Sequence, residues 1–231
     1  LSPCLVIFSL LTLIRSVVWS TEVNLWGDAW KKAPHKPRTN KNYGFVLTQA
    51  GRLEEGIERL EYAVQLKDDD QHYFITLGSA YLKAKAWEKA KQSFDRAVDL
   101  RPDLPDGWNN LGVALFQLKQ YDQAKQAFET SINRDQDFYM AWLGLGGVEL
   151  MLENFSAAEQ ALQKTLSLQP QDSRTYTNLL TLYIKSENWP QALTTLESLE
   201  SLNPLTPDLF AKKQAILQKI ADQQQVSLND P

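Results

Sequence analysis

The sequence is poor in residues that carry chemistry. It has one cysteine, Cys4, so no intrachain disulfide can form. Its two histidines, His35 and His72, have no cysteine or acidic cluster beside them at metal-ligand spacing. No G-x-G-x-x-G, P-loop or G-x-S-x-G pattern occurs, so no phosphate cradle or nucleophile turn is recognisable. The one glycine-rich stretch, Gly144-Leu145-Gly146-Gly147, falls inside a predicted helix. The acidic run Asp68-Asp69-Asp70 lacks the spaced ligands of a calcium loop and reads as a solvated connection. These absences leave no catalytic residue, cofactor site or metal site to name. The chain is expected not to be an enzyme in itself.

Positive charge is scarce as well. Lys and Arg total 24 against 28 Asp and Glu, a formal net charge of −4. Arg15, Lys31, Lys32, Lys36, Arg38 and Lys41 crowd the start of the chain against Glu22 and Asp28, so the remainder is acidic. Binding nucleic acid takes many phosphate-neutralising cations, and this balance argues against it. Long apolar runs are nearly absent too. The exception is residues 3–14, PCLVIFSLLTLI, which carry no charge. A full membrane span needs about 20 apolar residues. Residues 1–19 therefore read as a membrane helix or its C-terminal part, with Arg15 and Trp19 at the headgroup level.

What the sequence does have is a period. The stretch 71–104 carries Phe74, Leu77, Gly78, Tyr81, Trp87, Ala90, Phe94, Ala97 and Pro102. A shift of 34 residues returns Trp108, Leu111, Gly112, Leu115, Tyr121, Ala124 and Phe128. A second shift returns Trp142, Leu145, Gly146, Phe155, Ala158, Leu162 and Pro170. Five units follow: 37–70, 71–104, 105–138, 139–172 and 173–206. Each reads as two antiparallel helices. Small residues at Gly78, Gly112 and Gly146 on the first helix, and at Ala90, Ala124 and Ala158 on the second, let the pair approach closely. The large apolar residue four positions after each alanine lies on the same helical face. Pro102 and Pro170 fall where a second helix must stop. In the first unit, Asn40 stands where the others carry an aromatic residue.

The columns W-x2-L-G and A-x3-F, followed by Pro, resemble the tetratricopeptide repeat across residues 37–206. The resemblance implies an all-α fold, a right-handed superhelical solenoid of antiparallel helix pairs. One period before the first unit, Trp26, Ala29 and Pro34 also fit their columns, so residues 20–36 read as a degenerate half-repeat helix and linker. Trp26 and Trp30 are then expected to pack on the first full unit. At the other end, residues 207–224 read as an amphipathic capping helix, with 225–231 a disordered tail.

In arrays of this kind the first helices line a concave groove. By that analogy Lys41 and Phe45, Ile75 and Leu82, and Asn109, Val113 and Phe116 face it from the first three units. Met140, Leu143, Leu150 and Arg174 face it from the last two. Asn110 and Asn178 belong to a column of amides able to hold an extended peptide backbone. The groove is apolar in its middle, so the expected partner is an apolar or amphipathic segment of another protein.

One further resemblance concerns the start of the chain. Arg15 to Arg38, with Trp19, Leu25-Trp26, Asp28, Lys32-Ala33-Pro34 and then Arg38, is similar to the junction in polytopic membrane glycosyltransferases like protein O-mannosyltransferases. There the last membrane helix passes into repeats outside the cytoplasm. The resemblance implies a periplasmic or lumenal array whose catalytic residues lie upstream of this chain. The cations after the apolar run point instead to the cytoplasmic side. The two functional expectations are thus a membrane-anchored interaction scaffold and the non-catalytic part of a membrane glycosyltransferase.

Overall fold

The structure is a computed structural model that describes residues 21–202 and 206–229. The apolar run, Cys4, Arg15, Trp19, Pro204 and the last two residues lie outside the described residues. Among the described residues there are twelve helices and no strand. They are α1 (Glu22–Lys32), α2 (Pro37–Gln49), α3 (Leu53–Leu66), α4 (Gln71–Lys83), α5 (Trp87–Leu100) and α6 (Pro105–Gln117). Then follow α7 (Tyr121–Arg134), α8 (Tyr139–Met151), α9 (Phe155–Leu168), α10 (Ser173–Lys185), α11 (Trp189–Leu202) and α12 (Pro207–Asn229). None of these helices is long and apolar enough to cross a membrane. The last helix runs on to Asn229, so residues 225–229 are helical where a disordered tail was expected.

The helices form two compact units, one ending at Leu118 and one beginning at Lys119. In the first, α2 packs on α3 and α4 on α5, and the first helices α2, α4 and α6 lie side by side. In the second, α8 packs on α9 and α10 on α11, with α8 beside α10 and α12 against α11.

The alanine column explains the pairing. Ala90, Phe94 and Ala97 are completely buried, as are Ala158 and Leu162. Burying one such large side chain contributes about 1.5–3 kcal/mol. The glycine opposite makes room for it. A Cβ on Gly78 would lie 2.6 Å from the Phe94 ring, and one on Gly146 would lie 2.7 Å from Leu162. Gly144 lies outside the small-residue column of Gly146, yet a Cβ there would meet the Phe128 ring at 2.3 Å. The glycine-rich stretch is therefore helix packing on two sides.

Two further devices recur with the same period. The turn between paired helices always holds a residue with a left-handed backbone: Gly51, Lys85, Lys119, Glu153 and Glu187, with φ between 55° and 83°. The next residue's N–H reaches back five positions, as in Arg52 to Leu47 O (3.0 Å), Ala86 to Tyr81 O (2.9 Å) and Asn188 to Tyr183 O (2.8 Å). This is the Schellman closure of a helix C-terminus. The second device ties the start of four first helices, α2, α6, α8 and α10, to the linker before them. Trp108 Nε1 donates to Pro102 O at 3.0 Å, Trp142 Nε1 to Gln136 O at 2.8 Å, and the Tyr176 hydroxyl to Pro170 O at 3.1 Å. Asn40 Nδ2 makes the same bond, to Pro34 O at 2.6 Å. Asn40 is therefore no defect in the first unit. It is fully buried and supplies the N–H that the indole supplies elsewhere.

Candidate interaction surface

The degenerate helix α1 packs on α2. The Trp30 ring stacks on Tyr43 at 5.6 Å between centroids, and the Arg59 guanidinium lies 5.0 Å from the Trp30 ring. Trp26 is half-buried.

In the first unit the first helices α2, α4 and α6 carry Phe45, at 45% exposure their most exposed large apolar group. Lys41 Nζ sits 5.2 Å above the Tyr73 ring, which holds the cation beside Phe45. Ile75, Leu82, Asn110, Val113 and Phe116 are half-buried. Lys83 Nζ donates to Gln49 Oε1 and links α4 to α2 at their C-terminal ends. Asn109 does not belong to this surface: it is buried, and its Oδ1 has no hydrogen-bond partner. Two hollows of about 430 and 440 Å³ lie elsewhere, against α1, the first beside Trp30, His35 and Tyr62.

In the second unit the first helices are α8 and α10. Met140 is exposed, and so is Met151, which the groove pattern had not included. Leu150 corrects the expectation: at 5% exposure it is part of the core with Leu162, Leu179 and Tyr183. Leu143 is half-buried and packs against the same core. Both leucines point between helices because α8 and α10 lie close. Asn178 is half-buried, and Arg174 is exposed. Arg174 is also committed, donating from Nε to Asp172 Oδ1 at 2.8 Å. Asp172 caps α10 by accepting from Thr175 N at 3.0 Å and Thr175 Oγ1 at 2.6 Å. Burial pushes the Asp172 carboxyl up, but these hydrogen bonds outweigh it and hold the group below its ordinary value.

One buried charge escaped the sequence reading. Glu149 on α8 is 3% exposed, between Lys125 Nζ at 2.7 Å and Asn154 Nδ2 at 2.8 Å. The hydrogen bond from Lys125 holds that ammonium's pKa above its usual value. Tyr183 stands one period later, and its hydroxyl donates to Glu159, the residue one period after Lys125. Burial, then that carboxylate, pushes the Tyr183 hydroxyl up to about 12.

Three family models match the chain: tetratricopeptide repeat descriptions over residues 109–173 and 149–222, and a TPR repeat description over residues 78–119. This is a tetratricopeptide repeat protein. Solved structures agree on the tetratricopeptide fold. The Cut9 and Hcn1 hetero-tetramer of the APC/C contains a chain 17% identical, with a TM-score of 0.74 over 84% of this chain, which spans 39% of that one. A structure described as Pseudomonas aeruginosa pilF is 20% identical, with a TM-score of 0.70 over 90% of this chain and 94% of that one. YrrB, described as a TPR protein with an unusual peptide-binding site, is 17% identical, with a TM-score of 0.60 over 82% and 97%. At these identities the likeness concerns the fold of the tetratricopeptide array. No curated protein matches the sequence.

Proposed function

We propose that the chain is a non-catalytic interaction scaffold that binds an apolar or amphipathic segment of another protein along its first helices. The observation that carries this is Phe45, a large apolar side chain 45% exposed on α2, the first helix of the packed row α2, α4 and α6. Ile75 and Leu82 on α4 extend its apolar surface, and Lys41 adds a cation at its edge. Exposed apolar surface of this kind, rimmed by charge, suits a partner's side chains. The same use of a related fold is named for YrrB, which has a peptide-binding site.

The test uses peptides selected on the wild-type protein by display. They should be rich in bulky apolar residues and lose at least about tenfold in affinity, roughly 1.4 kcal/mol, for Phe45→Glu. Helical circular dichroism should be unchanged. Undiminished binding to Phe45→Glu would refute the surface.

The proposal includes anchoring in a membrane through residues 1–19, supported by the uncharged run at 3–14 and by Arg15 and Trp19 after it. A second reading makes this array the extracytoplasmic part of a membrane glycosyltransferase. It is favoured by the junction residues 15–38, whose α1 portion packs directly on α2 through Trp30. Several apolar spans encoded upstream of Leu1 would support it. A start codon followed by a basic segment immediately before Leu1 would exclude it.

A further inference from the structure

In the first compact unit the linkers that lead into α2, α4 and α6 share one edge. The first helices run side by side in one direction, since Lys83 at the end of α4 reaches Gln49 at the end of α2. Along that edge the charge changes sign. The linker before α4 carries Asp68, Asp69 and Asp70, and Asp70 caps α4 by accepting from His72 N at 3.0 Å. The linker before α6 carries Asp103, and Asp106 stands in the first turn of α6. The linker before α2 carries no acid. Lys31, His35, Lys36 and Arg38 stand in the columns of Gln65, Asp69, Asp70 and His72, and one period later of Asp99, Asp103, Leu104 and Asp106.

Lys31, Lys32, Lys36 and Arg38 are all exposed. Lys32 pairs with Asp28 at 2.7 Å, and the other three make no ion pair among the described residues. Residues 1–20 hold no Asp or Glu to supply one. In the next two linkers, by contrast, Lys67 lies 3.6 Å from Asp70, and Arg101 donates to Asp103 at 2.9 Å. Lys31 and Lys32 suit the last turn of α1, where the helix dipole favours cations. Lys36 and Arg38 do not suit their places. They sit at the N-cap and in the first turn of α2, the positive end of the dipole, with no acidic residue in that turn. The fold does not account for them.

We propose that this basic edge rests on the anionic headgroups of a membrane surface. The proposal rests on the anchoring proposed above for residues 1–19, which would hold α1 beside that surface. Each cation within reach of an anionic bilayer strengthens such a contact by about fivefold. The acids of the next two linkers are repelled by the same surface. Contact is thereby confined to the start of the unit, and the edge from Asp68 onwards is held away from the lipid.

The test reconstitutes the full chain in vesicles of phosphatidylcholine alone and of phosphatidylcholine with phosphatidylglycerol. Acetylation of each lysine by a water-soluble reagent is followed by mass spectrometry. Lys31, Lys32 and Lys36 should react about threefold more slowly in the anionic vesicles, because a negative surface keeps amines within a Debye length protonated. High salt should remove the difference. Lys85, in the turn beyond α4, should react alike in both, since the 13 residues of α4 place it about 20 Å from the basic edge. In the triple variant Lys31→Gln, Lys36→Gln and Arg38→Gln, Lys32 should also react alike in both. Equal rates for the wild-type edge in the two vesicles overturn the proposal, and so does a Lys32 that is still slowed in the variant. Slowing by a peptide selected on wild type, without slowing by anionic vesicles, assigns the edge to a protein partner and overturns it too. Flotation reads the anchor separately. A chain that floats with both vesicles but shows equal rates keeps the anchor and loses the basic edge. One that floats only with the anionic vesicles, with the edge slowed, keeps the edge and loses the anchor. One that floats with neither loses both.

Discussion

At the scale of single residues, the left-handed column carries a measurable cost. Only Gly51 has no Cβ to strain there, while Lys85, Lys119, Glu153 and Glu187 hold φ near 60° with full side chains. Lys85→Gly and Glu187→Gly should each raise the free energy of unfolding by about 1 kcal/mol, and Gly51→Ala should lower it by a similar amount. Urea midpoints read this directly; unchanged midpoints would mean that the turns relax. Glu149 gives a test of a different kind. Lys125→Met leaves a buried carboxylate without its cation and should cost about 2 kcal/mol, less than in a fully enclosed pair because Lys125 is about one-third exposed. The double variant Lys125→Met with Glu149→Leu should recover most of that loss, since Leu47 and Leu115 occupy the same column. A double variant as unstable as the single one would contradict this account.

Asp172 ties stability to pH. Its folded pKa lies below its unfolded value near 3.9, so its contribution is fully present above that value. The contribution disappears as pH falls through the folded pKa. Asp172→Asn should therefore be less stable than wild type by about 1 kcal/mol at pH 7, and the two should converge in acid. A difference independent of pH would remove the carboxylate from the explanation.

At the scale of elements, the helices were legible because the period placed them. The first helices start at Pro37, Gln71, Pro105, Ser173 and Pro207, and second helices start at Leu53, Trp87 and Tyr121. The glycine and alanine columns were legible for the same reason, since close approach leaves a residue type as its mark. What stayed hidden was geometry that different residue types can satisfy. An amide and an indole share only an N–H, so Asn40 looked like a departure until its bond to Pro34 O was seen. The left-handed turn was marked by glycine once and then by Lys and Glu, which carry no such signal. The face of Asn109 and Leu150 was misjudged because their columns turn inward wherever neighbouring helices lie close. The exposed side of α12 was hidden by its amphipathic pattern: Ile216 and Leu217 are adjacent, and only one of them is in the core.

At the scale of the molecule, the repeat provides rigid rows of first helices and leaves their outer surface free to vary. On the proposed reading, binding is carried by what those rows expose. In the first unit the exposed group is Phe45 on α2, and Ile75 and Leu82 on α4 are half-buried. The most direct measurement places a photo-crosslinking phenylalanine analogue at position 45 and, as a control, at Gln65, an exposed residue on the second helix α3. Both proteins are illuminated with a peptide selected on wild type. Crosslinking at 45 but not at 65, abolished by Leu82→Glu, is the result expected. Equal crosslinking at both positions, or crosslinking at 45 that survives Leu82→Glu, would contradict the account.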